Sequence, residues 1–196
     1  IRLGMAPHAR HPLPNVLGMD MAGMVAAVGS DVKKFQVGDE VYGLVGGVGG
    51  RQGTLAEFVA VETDLLAHKP SNLSMRQAAA LPLVLITAWE GLVDRASIRP
   101  GQKVLVHGGA AGVGHKAIQF PAAFGAEVYA TGRPGQVTVI ESLGARFIDH
   151  TISTVEQYVR EYTGGDGFDI IYDTLGGETL DQSFAAARRY GGHVVS

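Results

Sequence analysis

The sequence predicts an α/β protein in which a small all-β region precedes a doubly wound parallel sheet that is left incomplete. Three observations predict it. Short β-rich runs recur at roughly ten-residue spacing in the first third of the chain. From residue 103 onward, strand-like and helix-like segments alternate, the pattern of parallel strands joined by right-handed crossovers. Between the first strand and first helix of that region stand Gly108, Gly109, Gly112 and Gly114.

Taken in order, residues 1–15 hold Pro7, Pro12 and Pro14 and read as an irregular loop. His8 and His11 have the spacing of two ligands on one helical turn. The prolines oppose a helix, however, and no third ligand lies nearby, so the pair reads as solvated loop. Residues 21–28 form one apolar run closed by Gly29, Ser30 and Asp31. Residues 41–45 follow a Gly38-Asp39 turn signal, and residues 54–61 show partial alternation. These are three expected strands of a small barrel or sandwich. The loop over 43–53 contains more glycines than the turn at 108–114. A β run rather than a helix is expected after it, so no helix N-terminus would face an anion there. It reads as a flexible hairpin loop that could line a substrate mouth, with Arg51 its only charge. Ser74 and Gln77 form a capping-box pattern opening a short helix through 78–80. Pro82 interrupts it, and a second helix over 83–94 carries Thr87 and the single tryptophan, Trp89, assigned to a core.

Beyond Gly101 the expected elements are a strand at 103–107, a helix at 113–124 and a strand at 127–131. A helix at 136–143, a strand at 146–149, a helix at 154–162 and a strand at 168–173 follow. A turn at 175–177, a helix at 178–189 and a strand at 193–195 complete the series. Pro121 falls inside the first of these helices, where proline removes a hydrogen bond. This is the Rossmann pattern, which usually has about six strands; five are counted here, and His193 to Ser196 reads as a strand just beginning. The expectation is a segment of a longer protein.

A strand feeding a helix through such a turn aims free backbone N–H groups at one point, where the helix dipole adds about half a positive charge. That suits a dinucleotide pyrophosphate. The spacing is Gly109-x-Ala111-x-x-Gly114, so alanine stands where the usual fingerprint has its middle glycine. An acid about 20 residues beyond the turn would hold the ribose hydroxyls of NAD. Here the second strand ends in Thr131, Gly132 and Arg133, and no acid appears before Glu141. An arginine there suits a 2′-phosphate, so NADP(H) is the expected cofactor.

Composition removes several function classes. The chain has 196 residues, 46% of them hydrophobic and 18% charged, so it can bury a core. The formal net charge is −3 and no basic block exists to track a nucleic-acid backbone. The longest apolar run, 78–89, falls short of the roughly 18 residues of a membrane span. Cysteine is absent, which excludes disulfides, thiolate metal sites and cysteine nucleophiles and fits a cytoplasmic protein. Glycine, at 28 residues, is about twice its usual share, which points to many tight turns.

These residues together resemble the medium-chain dehydrogenase/reductase superfamily, and within it the zinc-independent quinone oxidoreductase branch. The marks are residues 17–23 (LGMDMAG), Val28-Gly29, residues 37–43 (VGDEVYG), and residues 78–82 (AAALP) with Thr87-Ala88. The turn at 110–114 (AAGVG), residues 143–145 (LGA) and residues 173–177 (DTLGG) add to them. The resemblance implies that 1–83 is part of a GroES-like catalytic domain and 84–196 part of an NADP(H)-binding Rossmann domain, with further chain on both sides. It implies a homodimer. The zinc branch carries Gly-His-Glu where this chain has Gly18, Met19 and Asp20, and Met19 removes that metal ligand. No metal is therefore expected. Without a Lewis acid, the fitting acceptor is a quinone or an α,β-unsaturated carbonyl, whose conjugation spreads the arriving charge. To the cofactor-facing positions Ala111, Gly112, Val113, Gly114, Thr131, Gly132 and Arg133 the resemblance adds His150, Thr174, Leu175, Gly176 and Thr87. No side chain stands out as the catalytic acid or base; Asp20 and Tyr42 are weak candidates. An enoyl-thioester reductase, a non-catalytic NADPH-binding protein and an inactive truncated product remain open alternatives.

Overall fold

The structure, a computed structural model, describes residues 16–47 and 50–196; His8 and His11 lie outside them. The chain divides into two compact units, Ile1–Leu83 and Val84–Ser196.

In the first unit, β1 (Asp20–Met24) pairs antiparallel with β2 (Glu40–Leu44), and β2 pairs antiparallel with β3 (Ala67–His68). The expected strand over 21–28 stops at Met24. Val25 still donates to the Asp39 carbonyl at 2.9 Å, but beyond it the chain leaves the ladder. The strand expected over 54–61 does not form. Its first backbone donors, at Thr54 and Leu55, go instead to the carbonyls of Gly18 and Leu17, as that of the preceding Gly53 goes to Val16. Leu55 and Phe58 are exposed, so the alternation buries no face. The third strand of this sheet comes from Ala67 and His68, a pair too short to show a period. Helix α1 (Met75–Ala79) begins as expected: Ser74 caps Gln77 N, and the Gln77 side chain returns to Ser74 N at 2.9 Å.

Pro82 opens helix α2 (Pro82–Trp89) rather than only interrupting the one before it, since a first-turn proline gives up an N–H that has no helical partner. Residues Glu90–Arg95 continue as a π-helical turn. Trp89 is not in the core. Ala88 and Leu92 take the inward positions, and one residue's rotation of about 100° leaves Trp89 at the rim, 44% exposed. Its ring meets the edges of Phe120 and Phe124, and its indole N–H donates to Asp94.

The second unit holds five parallel strands in the order β6-β5-β4-β7-β8. They are β4 (Lys103–His107), β5 (Glu127–Gly132), β6 (Arg146–Asp149), β7 (Ile170–Asp173) and β8 (His193–Val195). Between them run α3 (Gly112–Ala123), α4 (Val137–Ser142), α5 (Val155–Thr163) and α6 (Glu178–Ala186). Successive side chains alternate between the two faces. Val104, Val106, Val128, Ala130, Ile170 and Tyr172 pack with Ile118 and Ile140 on one face. Leu105, Tyr129 and Ile171 pack with Tyr158 and Phe168 on the other. Both faces being buried explains why these strands read as near-continuous apolar runs. Pro121 is fully buried and lies in the last turns of α3, where its missing N–H costs one helical bond and its ring fills core. No helix among the described residues is long and apolar enough to cross a membrane.

Candidate functional site

The turn from β4 to α3 is shaped by close backbone approach. Gly108 has φ +77°, a left-handed conformation, and a Cβ there would lie 2.5 Å from Thr174 Oγ1. A Cβ on Gly114 would lie 2.1 Å from the Gly108 carbonyl oxygen, so α3 rests directly on the turn that precedes it. Ala111 N donates back to Gly108 O at 3.0 Å. Ala111 itself is the N-cap, with φ −82° and ψ 169°. That extended conformation suits any residue, so alanine in place of the middle glycine brings no backbone strain. Among the described residues no side chain caps α3, and its first turn holds no acid. The N–H groups of Gly112, Val113 and Gly114, which as first-turn donors have no intrahelical partner, are therefore left uncapped at the start of a twelve-residue helix. Ala111 and Gly112 are exposed, Val113 is half-buried and Gly114 is buried. A cradle that a Cβ would fill, beneath uncapped N–H donors, fits an anionic group.

Because β4 to β7 are parallel, their carboxyl ends share one sheet edge. His107 stands in register with Asp173, and Gly132 with Asp149. Thr131 Oγ1 lies 3.1 Å from His107 Nδ1, and Gly109 N donates to Thr131 O at 3.3 Å. His150 N donates to Gly132 O at 3.3 Å. Thr174 Oγ1 donates to His107 O at 2.7 Å. The Asp173 carboxylate accepts from Leu175 N at 2.9 Å and Gly176 N at 3.2 Å, which sets the turn after β7. The fold thus gathers residues 111–114, Thr131, Gly132, His150 and residues 174–176 along one edge. Arg133 follows β5, exposed, its guanidinium without a partner among the described residues. Thr87 lies on α2, and its carbonyl accepts from the Tyr172 hydroxyl at 2.9 Å, which ties it to β7.

Two residues at this edge escaped the sequence reading. Asp149 is an acid one strand over from Gly132, although its carboxylate is engaged by the N–H and hydroxyl of Thr151 at 2.9 and 2.6 Å. Those bonds hold its pKa below the usual carboxylate value. His107 is 2% exposed, and burial pushes its pKa down to about 4; the nearby Asp173 charge opposes this and His150 adds to it. It is neutral at physiological pH. Register gives the only signal for either residue, and register is invisible in a single strand.

The remaining candidates lie in the first unit. Asp20 Oδ1 accepts from Leu83 N at 2.9 Å; burial raises its pKa while that N–H lowers it. Tyr42 is half-buried in β2 opposite Ala22. Both have structural surroundings. Met19 contributes its carbonyl, which accepts from Val45 N at 2.8 Å. Among the described residues no three His, Cys, Asp or Glu side chains group as metal ligands. In the glycine-rich loop, Arg51 is paired with Glu62 at 3.0 Å, and no helix begins directly after it.

Comparison with known proteins bears on the whole chain. Residues 1–71 match the alcohol dehydrogenase GroES-like domain and residues 112–196 the zinc-binding dehydrogenase domain. The chain is 46% identical over 182 residues to 2-methylene-furan-3-one reductase of Solanum lycopersicum, covering 89% of this chain and 45% of that one. It is 44% identical over 192 residues to the chloroplastic NADPH-dependent alkenal/one oxidoreductase of Arabidopsis thaliana, covering 94% and 47%. An alcohol dehydrogenase superfamily protein from Novosphingobium aromaticivorans superposes with a TM-score of 0.96 at 58% identity, over 100% of this chain and 58% of that one. The chain thus spans about half the length of the curated relatives it matches. With both domain models, this order of motifs and the near-identical fold in agreement, the chain belongs to the medium-chain dehydrogenase/reductase superfamily, in its quinone oxidoreductase branch.

Proposed function

We propose that this chain binds NADP(H) at the β4–α3 turn and serves zinc-independent reduction of an α,β-unsaturated carbonyl or a quinone. The observation that carries the reading is the uncapped N-terminus of α3, seated on Gly108 and followed one strand later by the unpaired Arg133. A helix N-terminus takes the pyrophosphate, and a guanidinium takes a 2′-phosphate bidentately. Val84–Ser196 is then part of the cofactor domain and Ile1–Leu83 part of the GroES-like catalytic domain. Residues 111–114, Thr131, Gly132, Arg133, His150, 174–176 and Thr87 hold or orient the dinucleotide. When bound, its nicotinamide supplies the hydride. The chain's own residues orient it and leave the acceptor to spread negative charge by conjugation. That division of labour suits a chain with Met19 at the zinc-ligand position and no cysteine. The alkenal/one and furanone specificities of the two curated relatives support an enone as acceptor. A homodimer and a cytoplasmic location belong to the same reading; sedimentation and a fluorescent fusion test them.

The test is nucleotide titration of wild type and Arg133→Ala. We expect the variant to lose about 10- to 100-fold in NADPH affinity, the value of a charge-assisted pair, with NADH affinity unchanged. Unchanged NADPH affinity sinks the assignment. NADPH oxidation with 9,10-phenanthrenequinone, an enone and an enoyl thioester then ranks the acceptors, and binding without turnover on any of them favours a non-catalytic role.

A further inference from the structure

His107 has no task in the reading above, yet it sits where the site's strands converge. Its side chain is buried, with Nδ1 3.1 Å from Thr131 Oγ1. Its carbonyl accepts from Thr174 Oγ1 at 2.7 Å. The two hydroxyls it holds come from the ends of β5 and the turn after β7, the strands on either side of β4. Its Nε2 is buried with no partner among the described residues. A buried unpaired ring nitrogen carries a cost, and phenylalanine would fill the same space without it. The polar ring therefore has to return something through Nδ1.

We propose that His107 is a positioning residue of the dinucleotide site, its imidazole fixing the hydroxyl of Thr131 and its carbonyl that of Thr174, so that both strand ends face the nucleotide in one arrangement. The inference rests on the cofactor reading above. Burial keeps the ring neutral, so it acts as a fixed hydrogen-bonding prop and not as a charge. Asp173, in register with it, and His150, after β6, are the ionisable groups that act on it electrostatically. The Asp173 carboxylate is already committed to Leu175 and Gly176. Thr131 is buried too, which leaves the His107 ring as its hydroxyl's protein partner. The neighbouring Gly108 has no room for a side chain on the Thr174 hydroxyl, so the carbonyl contact is equally confined.

The experiment titrates NADPH into wild type, His107→Phe, His107→Asn, Thr131→Val and the double variant His107→Phe/Thr131→Val, reading nucleotide fluorescence. The Tm of each nucleotide-free protein is measured alongside. We expect His107→Phe and Thr131→Val each to weaken binding about tenfold, the equivalent of one hydrogen bond. His107→Asn, which keeps a polar atom near the Nδ1 position, should recover most of the loss. The double variant should bind no worse than either single one, as expected for two members of one contact. Wild-type affinity should show no titration of this ring between about pH 6 and 8. The inference is overturned if His107→Phe binds like wild type while its Tm falls, if His107→Asn is as weak as His107→Phe, or if the two losses simply add. Should His107→Phe fail to fold, Thr131→Val decides alone: wild-type affinity in that variant overturns it. A wild-type chain that does not bind NADPH overturns the cofactor reading itself, and this inference with it.

Discussion

Gly114→Ala tests how the turn keeps its shape. An added Cβ would lie 2.1 Å from Gly108 O and 2.9 Å from Gly109 Cα. Carbon and carbonyl oxygen in contact sit about 3.3 Å apart, so helix or turn must yield by about 1.2 Å. Both obstacles are backbone, so no side-chain rotation relieves the clash. Overpacking of this kind costs about 1–3 kcal/mol, which for a chain of this size is a Tm loss of about 2–12 °C. The displacement falls on the N–H donors of α3, and hydrogen bonds do not survive a shift of about 1 Å. Loss of two charge-assisted bonds predicts at least about 100-fold weaker NADPH binding, measured by calorimetric titration with Tm from scanning fluorimetry. Gly112→Ala is the stability control. Its Cβ would touch only Val84 Cγ1, at 3.4 Å, an ordinary contact, and its Tm should hold. A Gly114→Ala protein that binds NADPH within about threefold of wild type would refute the cradle reasoning.

Three further outcomes follow from the same contacts. Tyr172→Phe removes the bond to the Thr87 carbonyl and should lower Tm by about 2–6 °C, with NADPH affinity falling alongside if Thr87 faces the nucleotide. The Lys69 ammonium is buried and bonded to Pro70 O, Leu73 O and Glu40. Lys69→Met strands the Leu73 carbonyl, while Pro70 O keeps its bond from Leu73 N, and should cost about 1–3 kcal/mol in urea unfolding, more than Glu40→Gln, whose carboxylate is half exposed. For pH, the folded His107 pKa of about 4 lies below the unfolded value of 6.5, so the unfolded chain binds more protons between them. Stability is full above the unfolded value and is lost as pH falls toward the folded one, by an amount on the order of 3 kcal/mol. Comparing Tm in neutral and acid buffer checks this, and His107→Phe should flatten the slope.

The second unit was legible in the sequence because both faces of its central strands are buried, so residues 103–107 announced themselves as an apolar run and appear with those bounds. The helix start at Ser74 was legible for a different reason: a capping box is a local bond pattern that needs no distant partner. The segment 54–61 failed because its alternation satisfied a local rule while its first backbone donors, at Thr54 and Leu55, belonged to Gly18 and Leu17, far away in sequence. The core assignment of Trp89 failed because the helical phase set by Ala88 and Leu92 put it at the rim. At the candidate site, glycines and Arg133 could be read from spacing. His107 and Asp149 could not, because their meaning comes from which strands lie side by side.

The two glycine-rich segments show what separates a packing turn from an anion site. In the loop over 43–53, Gly43, Gly46 and Gly53 are required because a Cβ would strike the backbone of Leu65, Gln52 and Leu17. Three of its glycine N–H groups are also engaged: Gly46 donates to Met19 O, Gly47 to Arg51 O and Gly53 to Val16 O. At 108–114 the steric demand is the same, since Gly108 and Gly114 close on Thr174 and on each other. What differs is the element that comes next. A helix follows, its first-turn N–H groups are uncapped, and Ala111 leaves them uncovered from its extended conformation. Glycine content measures how closely the chain approaches itself. Only the element that follows decides whether donors are left for a ligand, which is why the segment with fewer glycines is the one that carries the candidate site.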